Sequence, residues 1–267
     1  LNLLDILFLA LLQGIAEFIP VSSSGHLVLA QHFLGVSAPG IAVEVVLHLG
    51  TLAAVLAFYA KDIISLAGGA LRLRKPELTL LGLLAVASIP AGVVGMLFEK
   101  ALERLFDSPL AVSLLLVANG AILFWGGRAR AARRPDPQGP GSPPGAGPAL
   151  AAGLAQAVAV LPGISRSGST ISALMRRGVG PVRAARFSFL LSIPAVAGAG
   201  LLQAVHGFPP GSPSISMLAI GFLVSFLVGL ASLAVLLGVL AKGRLWLFGA
   251  YCAAAGAACA TAVLSGV

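Results

Sequence analysis

Charge is scarce in this sequence. Only 10% of its 267 residues are Asp, Glu, Lys or Arg, against about 25% in ordinary soluble domains. Hydrophobic residues make up 58% and the mean hydropathy is +1.01. Those values exclude a water-soluble globule and indicate an integral membrane protein. Cysteine is nearly absent. Cys252 and Cys259 lie seven apart in an apolar C-terminal segment. That spacing suits one helix face better than a disulfide, so both are read as buried small hydrophobes. It also excludes a zinc site. The first stretch lacks a basic leader and carries Glu17, so it is not expected to be a cleavable signal peptide.

What is present is a set of apolar runs, and about 20 residues are needed to cross a bilayer as a helix. Residues 3–36 contain two apolar pieces, each too short to cross, joined by a Pro-Val-Ser-Ser-Ser-Gly turn at Pro20 to Gly25. They are read as a re-entrant helix hairpin. Irregular backbone at membrane depth survives only where protein or a water-filled cavity surrounds it, so the break itself points to function. Runs at about 42–60, 78–98 and 109–126 are long enough to span. Residues 127–148 then carry four arginines and a Pro/Gly/Ser-rich stretch, the signature of a surface linker. Residues 149–178 form a second broken hairpin around Pro-Gly-Ile-Ser-Arg-Ser-Gly. Spans at about 182–203, 215–241 and 245–264 follow. Pro194 is expected to kink the first of them.

The chain therefore reads as an all-α polytopic membrane protein built as an inverted-topology repeat. Residues 1–126 and 149–267 each hold one re-entrant hairpin and three transmembrane helices, six spans in all. Three crossings per half invert the second half, as in many transporters. The basic residues test the topology. Fourteen of the seventeen Lys and Arg fall on one side, including Lys61, Arg74, Arg128, Arg176, Arg186 and Arg244. Only Lys100 and Arg104 fall on the other, with Arg166 at the second tip. By the positive-inside rule the crowded side, with the 127–148 linker, is cytoplasmic and both termini face outside. The net charge of +8 is thus topological, and nucleic acid is not an expected partner.

Gln13 to His26 reads Gln-Gly-Ile-Ala-Glu-Phe-Ile-Pro-Val-Ser-Ser-Ser-Gly-His, and Gln156 lies 143 positions after Gln13. At that offset Gln13 meets Gln156, Ala16 meets Ala159, Ser22 meets Ser165, Ser24 meets Ser167 and Gly25 meets Gly168. Ser23 meets Arg166, so the two tips diverged into an acidic and a basic half-site. Ionisable groups at membrane depth are functional by default. Gln13 and Glu17 share a helix face. Gln13 suits substrate binding or interhelical hydrogen bonding, and Glu17 suits metal ligation or general-base work. Ser22, Ser23, Ser24 and Gly25 open a helix, where serine caps and free N–H groups receive phosphate. Gly163, Ser165, Arg166, Ser167 and Gly168 repeat the arrangement. Arg166 at depth needs an anion, either phosphate, which its fork matches, or Glu17 in a structural pair. His26 is a candidate acid, base or nucleophile. His32, His48 and His206 are unassigned. Glu44 is read as snorkelling or interhelical, and Asn119 as interhelical glue.

These residues carry a resemblance. Gln13, Glu17, Pro20, Ser22, Ser23, Gly25 and His26 match a (Glu/Gln)-x-x-x-Glu-x-x-Pro-x-Ser-Ser-x-Gly-His segment. Pro162, Gly163, Ser165, Arg166, Ser167 and Thr170 match Pro-Gly-x-Ser-Arg-Ser-x-x-Thr. Both segments, in this order, resemble the undecaprenyl-diphosphate phosphatase family of the bacitracin-resistance type, over essentially the whole chain. The resemblance implies hydrolysis of C55 undecaprenyl diphosphate to the monophosphate plus phosphate, recycling the lipid carrier for peptidoglycan. It also implies a bacterial inner-membrane enzyme, an active site facing outside, a divalent cation, Mg2+ or Ca2+, and Thr170 among the substrate contacts. Gln13 stands where many members have glutamate. A metal would then rest on Glu17 and substrate phosphates. Homodimerisation is left open.

The expected chemistry places the diphosphate between the tips, clamped by Arg166, Ser165, Ser167 and Thr170. Ser23 attacks the terminal phosphorus with His26 as base or acid; phosphohistidine at His26 and direct attack by water are the alternatives. A lipid transporter or flippase on the same inverted repeat is the rival reading. The phosphatidic-acid phosphatase superfamily, which shares Ser24-Gly25-His26, is rejected. No basic residue precedes Gln13, and Ser172 stands where its downstream histidine belongs.

Overall fold

The computed structural model describes residues 2–35, 40–129, 142–206 and 212–266. Most of the expected 127–148 linker lies outside them. Twelve helices and no strands are present among the described residues. Helices α1 (Leu3–Ala16) and α2 (Ser23–Leu34) pack on one another as the first broken pair. Asn2 starts α1 with a capping box, its side chain accepting from the Asp5 amide while Asp5 accepts from the Asn2 amide, both at 2.9 Å. Gly35 ends α2 in the left-handed region at φ 61°. Helices α8 (Ala146–Val158) and α9 (Arg166–Arg176) form the second pair.

The remaining elements are α3 (Gly40–Phe58), α4 (Ala60–Leu71), α5 (Lys75–Leu97), α6 (Glu99–Phe106), α7 (Pro109–Gly127), α10 (Pro181–His206), α11 (Ile215–Ala241) and α12 (Trp246–Leu264). Each expected span falls on one of these helices. Among the described residues α5, α7, α11 and α12 are long and apolar enough to cross a membrane, and a fifth span results if α3 and α4, bent by 74° at Tyr59, count as one. Helix α10 covers the region expected at 182–203 and continues through Pro194. Helices α4 and α6 were not anticipated. Both are short and carry charge (Lys61 and Asp62 in α4; Glu99, Lys100, Glu103 and Arg104 in α6), so they lack the apolar run that marks a span.

Small residues draw these helices together, as in membranes, where backbone approach replaces hydrophobic exclusion. Helices α7 and α12 cross where a Cβ on Gly120 would lie 2.8 Å from the Gly249 carbonyl oxygen, and one on Gly249 would lie 3.0 Å from that of Gly120. Helix α1 packs on α11, where a Cβ on Gly14 would lie 2.8 Å from Val228. Helix α8 packs on α5, where one on Gly153 would lie 2.6 Å from the Ala87 carbonyl oxygen. Phe18 at the first tip is fully buried, edge-on to Phe189 with centroids 5.5 Å apart and seated against Gly229 of α11. Gly120→Val drives a side chain into backbone that cannot retreat. Overpacking of that kind is expected to destabilise by about 1–3 kcal/mol, measured as a lowered midpoint for unfolding in mixed detergent micelles.

Candidate active site

The two breaks meet. A Cβ on Gly25 would lie 2.9 Å from the Gly163 Cα, and one on Gly168 would lie 3.0 Å from the Pro20 Cβ. At Gly25 only glycine permits backbone to touch backbone. Gly163 also needs its freedom for φ 98°, whereas Ser22 adopts φ 72° without it. Both tips start their second helix the same way. Ser22 Oγ accepts from the Gly25 amide at 3.3 Å, and Ser165 Oγ accepts from the Gly168 amide at 3.1 Å. The serines that align at the fixed offset therefore cap α2 and α9.

Asn119 in α7 fastens the tips. Its side chain is fully buried. Its Oδ1 accepts from the Ser165 amide at 3.0 Å, and its Nδ2 donates to the Pro20 carbonyl at 3.1 Å and to Cys252 Sγ at 3.3 Å. One amide thus satisfies a backbone donor of the second tip and a backbone acceptor of the first. Ser167 Oγ adds a bond to the Phe18 carbonyl at 3.3 Å.

Glu17 and Arg166 form the charged centre. Glu17 Oε1 accepts from Arg166 Nη2 at 2.5 Å. Glu17 Oε2 accepts from Gln13 Nε2 and from Ser23 Oγ, each at 3.0 Å. The side chains are 9% and 20% exposed, so each charge needs the other. A cavity of about 380 Å³ opens onto this centre. Glu17, Ser22, Ser23, Ser24, Ser165 and Arg166 line it, with Glu44 and His48 from α3 and Ala195 and Val196 from α10.

The structure does not bring every expected residue to that cavity. Gln13 is buried beneath it against Glu17. Gly25 and Gly163 serve the tip contact. Ser167 lies between Ser165 and Phe18, and the Thr170 hydroxyl contacts Ser188 of α10 at 2.6 Å. His26 lies along α2 away from the cavity. Its Nδ1 faces the Ser22 carbonyl at 2.9 Å, which fixes the proton there. Its Nε2 then accepts from the Tyr251 hydroxyl at 2.8 Å, with the rings stacked at 5.7 Å. His48 and Glu44, by contrast, reach the site. His48 Nδ1 donates to the Glu44 carbonyl at 2.8 Å, leaving Nε2 as an acceptor 3.7 Å from Glu17 Oε2. Their signal was two ionisable groups four apart in an otherwise apolar span.

Asn119→Ala would strip a buried amide and a buried carbonyl of their partner, at about 1–3 kcal/mol each. Lower thermal stability in detergent is expected, together with a fall in turnover larger than any rise in KM.

A family model described as bacitracin resistance protein BacA matches residues 6–258. An undecaprenyl-diphosphatase of Syntrophotalea carbinolica is 44% identical over 257 residues, covering 94% of this chain and 95% of the relative. One of Desulfatibacillum aliphaticivorans is 40% identical over 271 residues, covering 95% and 96%. One of Methanosphaera stadtmanae is 38% identical over 268 residues, covering 94% and 95%. With a family model that spans nearly its whole length and relatives aligned end to end, this chain belongs to the bacitracin resistance protein BacA family.

Proposed function

We infer that this chain hydrolyses undecaprenyl diphosphate to undecaprenyl phosphate and inorganic phosphate, recycling the lipid carrier of envelope synthesis. Family membership and the names of the relatives support the reading. One observation carries it at the level of the site. The Glu17–Arg166 pair joins the tips at the wall of a single cavity, with Ser23 donating to the same carboxylate.

The diphosphate enters between the first turns of α2 and α9, whose positive dipole ends and free amides favour phosphate. Arg166 lines the cavity with its Nη1 unpartnered inside the protein, and its guanidinium would turn to bind a phosphoryl oxygen. Ser23 Oγ attacks the terminal phosphorus as its proton passes to Glu17 Oε2. The bond from that phosphorus to the bridging oxygen breaks, and undecaprenyl phosphate leaves. Water then hydrolyses the phosphoserine, releasing phosphate and restoring Ser23. In this scheme His26 holds α2 against α12 through Tyr251, and His48 stands beside Glu17 to pass its proton onward.

A divalent cation would find two oxygen donors here, the Glu17 carboxylate and the Gln13 amide, once Glu17 gives up hydrogen bonds it now accepts. Gln13 Oε1 is a buried oxygen without a partner, next to Glu17. No group of three or more His, Cys, Asp or Glu placed to hold a metal exists among the described residues. Magnesium characteristically takes one or two carboxylates and completes its shell with phosphate and water. Glu17 and Gln13 would hold it, and it would screen the charge of the diphosphate.

The finer topology belongs to the same proposal. Six spans, two re-entrant tips and an inverted repeat agree with packing that exchanges between halves: α1 lies on α11 as α8 lies on α5, and α7 pairs with α12. Charge asymmetry supports a cytoplasmic basic side, outward termini and a site open to the outside.

Purified protein is expected to release phosphate from a polyprenyl diphosphate. Arg166→Ala should lower kcat/KM by about 10²–10³, and Arg166→Lys should recover little because the fork is lost. No release from pure protein would overturn hydrolysis and favour lipid transport. Gln13→Glu supplies a second carboxylate and is expected to tighten calcium binding, read by titration calorimetry with inorganic pyrophosphate present. Unchanged affinity would remove Gln13 from the cation's shell.

A further inference from the structure

A second cavity, of about 770 Å³, lies between α7, α8 and α9 and shares no lining residue with the cavity at Glu17 and Arg166. Its long wall is apolar and faces outward. Leu150, Leu154 and Val158 of α8 line it while remaining about half exposed, at 48%, 55% and 49%. From Gly147 to Val158 this wall runs about 16 Å along α8. One end differs in kind. Arg176 and Arg177 close it, and both are exposed. The Arg176 guanidinium stacks on Trp125 of α7, 4.9 Å from the ring centroid. At the other end Ser169 lies one turn from Arg166. Its Oγ is buried without a hydrogen-bond partner, in a side chain only 3% exposed.

The groove is therefore amphipathic along its length, with two cations at one end and a hydrocarbon channel behind them. The arginines belong to the crowded basic side, where tryptophan marks the membrane–water boundary. Basic pockets between transmembrane helices take anionic head groups. We propose that this groove binds an anionic phospholipid, its phosphate on Arg176 and Arg177 and an acyl chain along α8. The proposal rests on the chain lying in a bilayer and is independent of the hydrolytic reading. Charge complementarity selects the occupant, because a zwitterionic lipid offers the arginines an anion already paired with its own cation. The groove shares α9 with the active site, so a bound lipid would brace the helix that carries Arg166.

Trp125 reports on the site directly. The sequence has two tryptophans, and Trp246→Phe leaves Trp125 as the single emitter. In phosphatidylcholine vesicles, brominated phosphatidylglycerol is expected to quench Trp125 at a mole fraction about five-fold or more below that needed for brominated phosphatidylcholine. Arg177→Gln, which keeps the stack on Trp125, should reduce the difference, and Arg176→Gln/Arg177→Gln should abolish it. A monodisperse elution profile and an unchanged thermal unfolding midpoint in detergent for both variants establish that they are folded. Coincident quenching curves in the parental protein, or a preference that survives the double substitution, would overturn the proposal.

Discussion

The ion pair between Glu17 and Arg166 is the interaction on which the rest depends. Each charge sits at the end of a broken helix, in a chain with few charges to offer. Both are largely buried, and removal of one partner would leave the other buried and uncompensated. The pair therefore works only if both breaks arrive at the same place. Glycines let the tips touch, Asn119 bonds to both, and Phe18 is seated between α10 and α11. Without these supports the site has no fixed geometry.

The same constraint connects structure with chemistry. A helix that is broken off leaves amide groups unsatisfied at its ends. Here serines cap two of them, and the first turns of α2 and α9 border a cavity. The two breaks bring helix N-termini to one cavity, an arrangement that an unbroken span cannot supply and that the proposed diphosphate would use. The carboxylate that neutralises Arg166 also accepts from Ser23, so in the proposed reaction one group would anchor the clamp and activate the nucleophile.

Much of this was legible in the sequence because its signals are local. Apolar run length placed the long helices, and the fixed spacing between Ser22 and Ser165, and between Gly25 and Gly168, foretold matching caps. What was hidden depends on helical phase and on partners far along the chain. Thr170 lies in the second motif, yet its hydroxyl meets Ser188 on α10. His26 belongs to the first motif, yet its phase turns it towards Tyr251. His48 and Glu44 reach the cavity from a span with no motif at all. The break at Tyr59 carries neither proline nor glycine, so α4 was not separable from the span before it.

The central claim is that both tips grip a single diphosphate. The most direct test is a structure with a non-hydrolysable methylene-bridged polyprenyl diphosphonate. The account predicts terminal phosphonate oxygens on Arg166 and Ser23 Oγ facing the terminal phosphorus, with both tips on the same ligand. A diphosphonate held by one tip alone, or bound outside the cavity that Glu17 and Arg166 line, would contradict it.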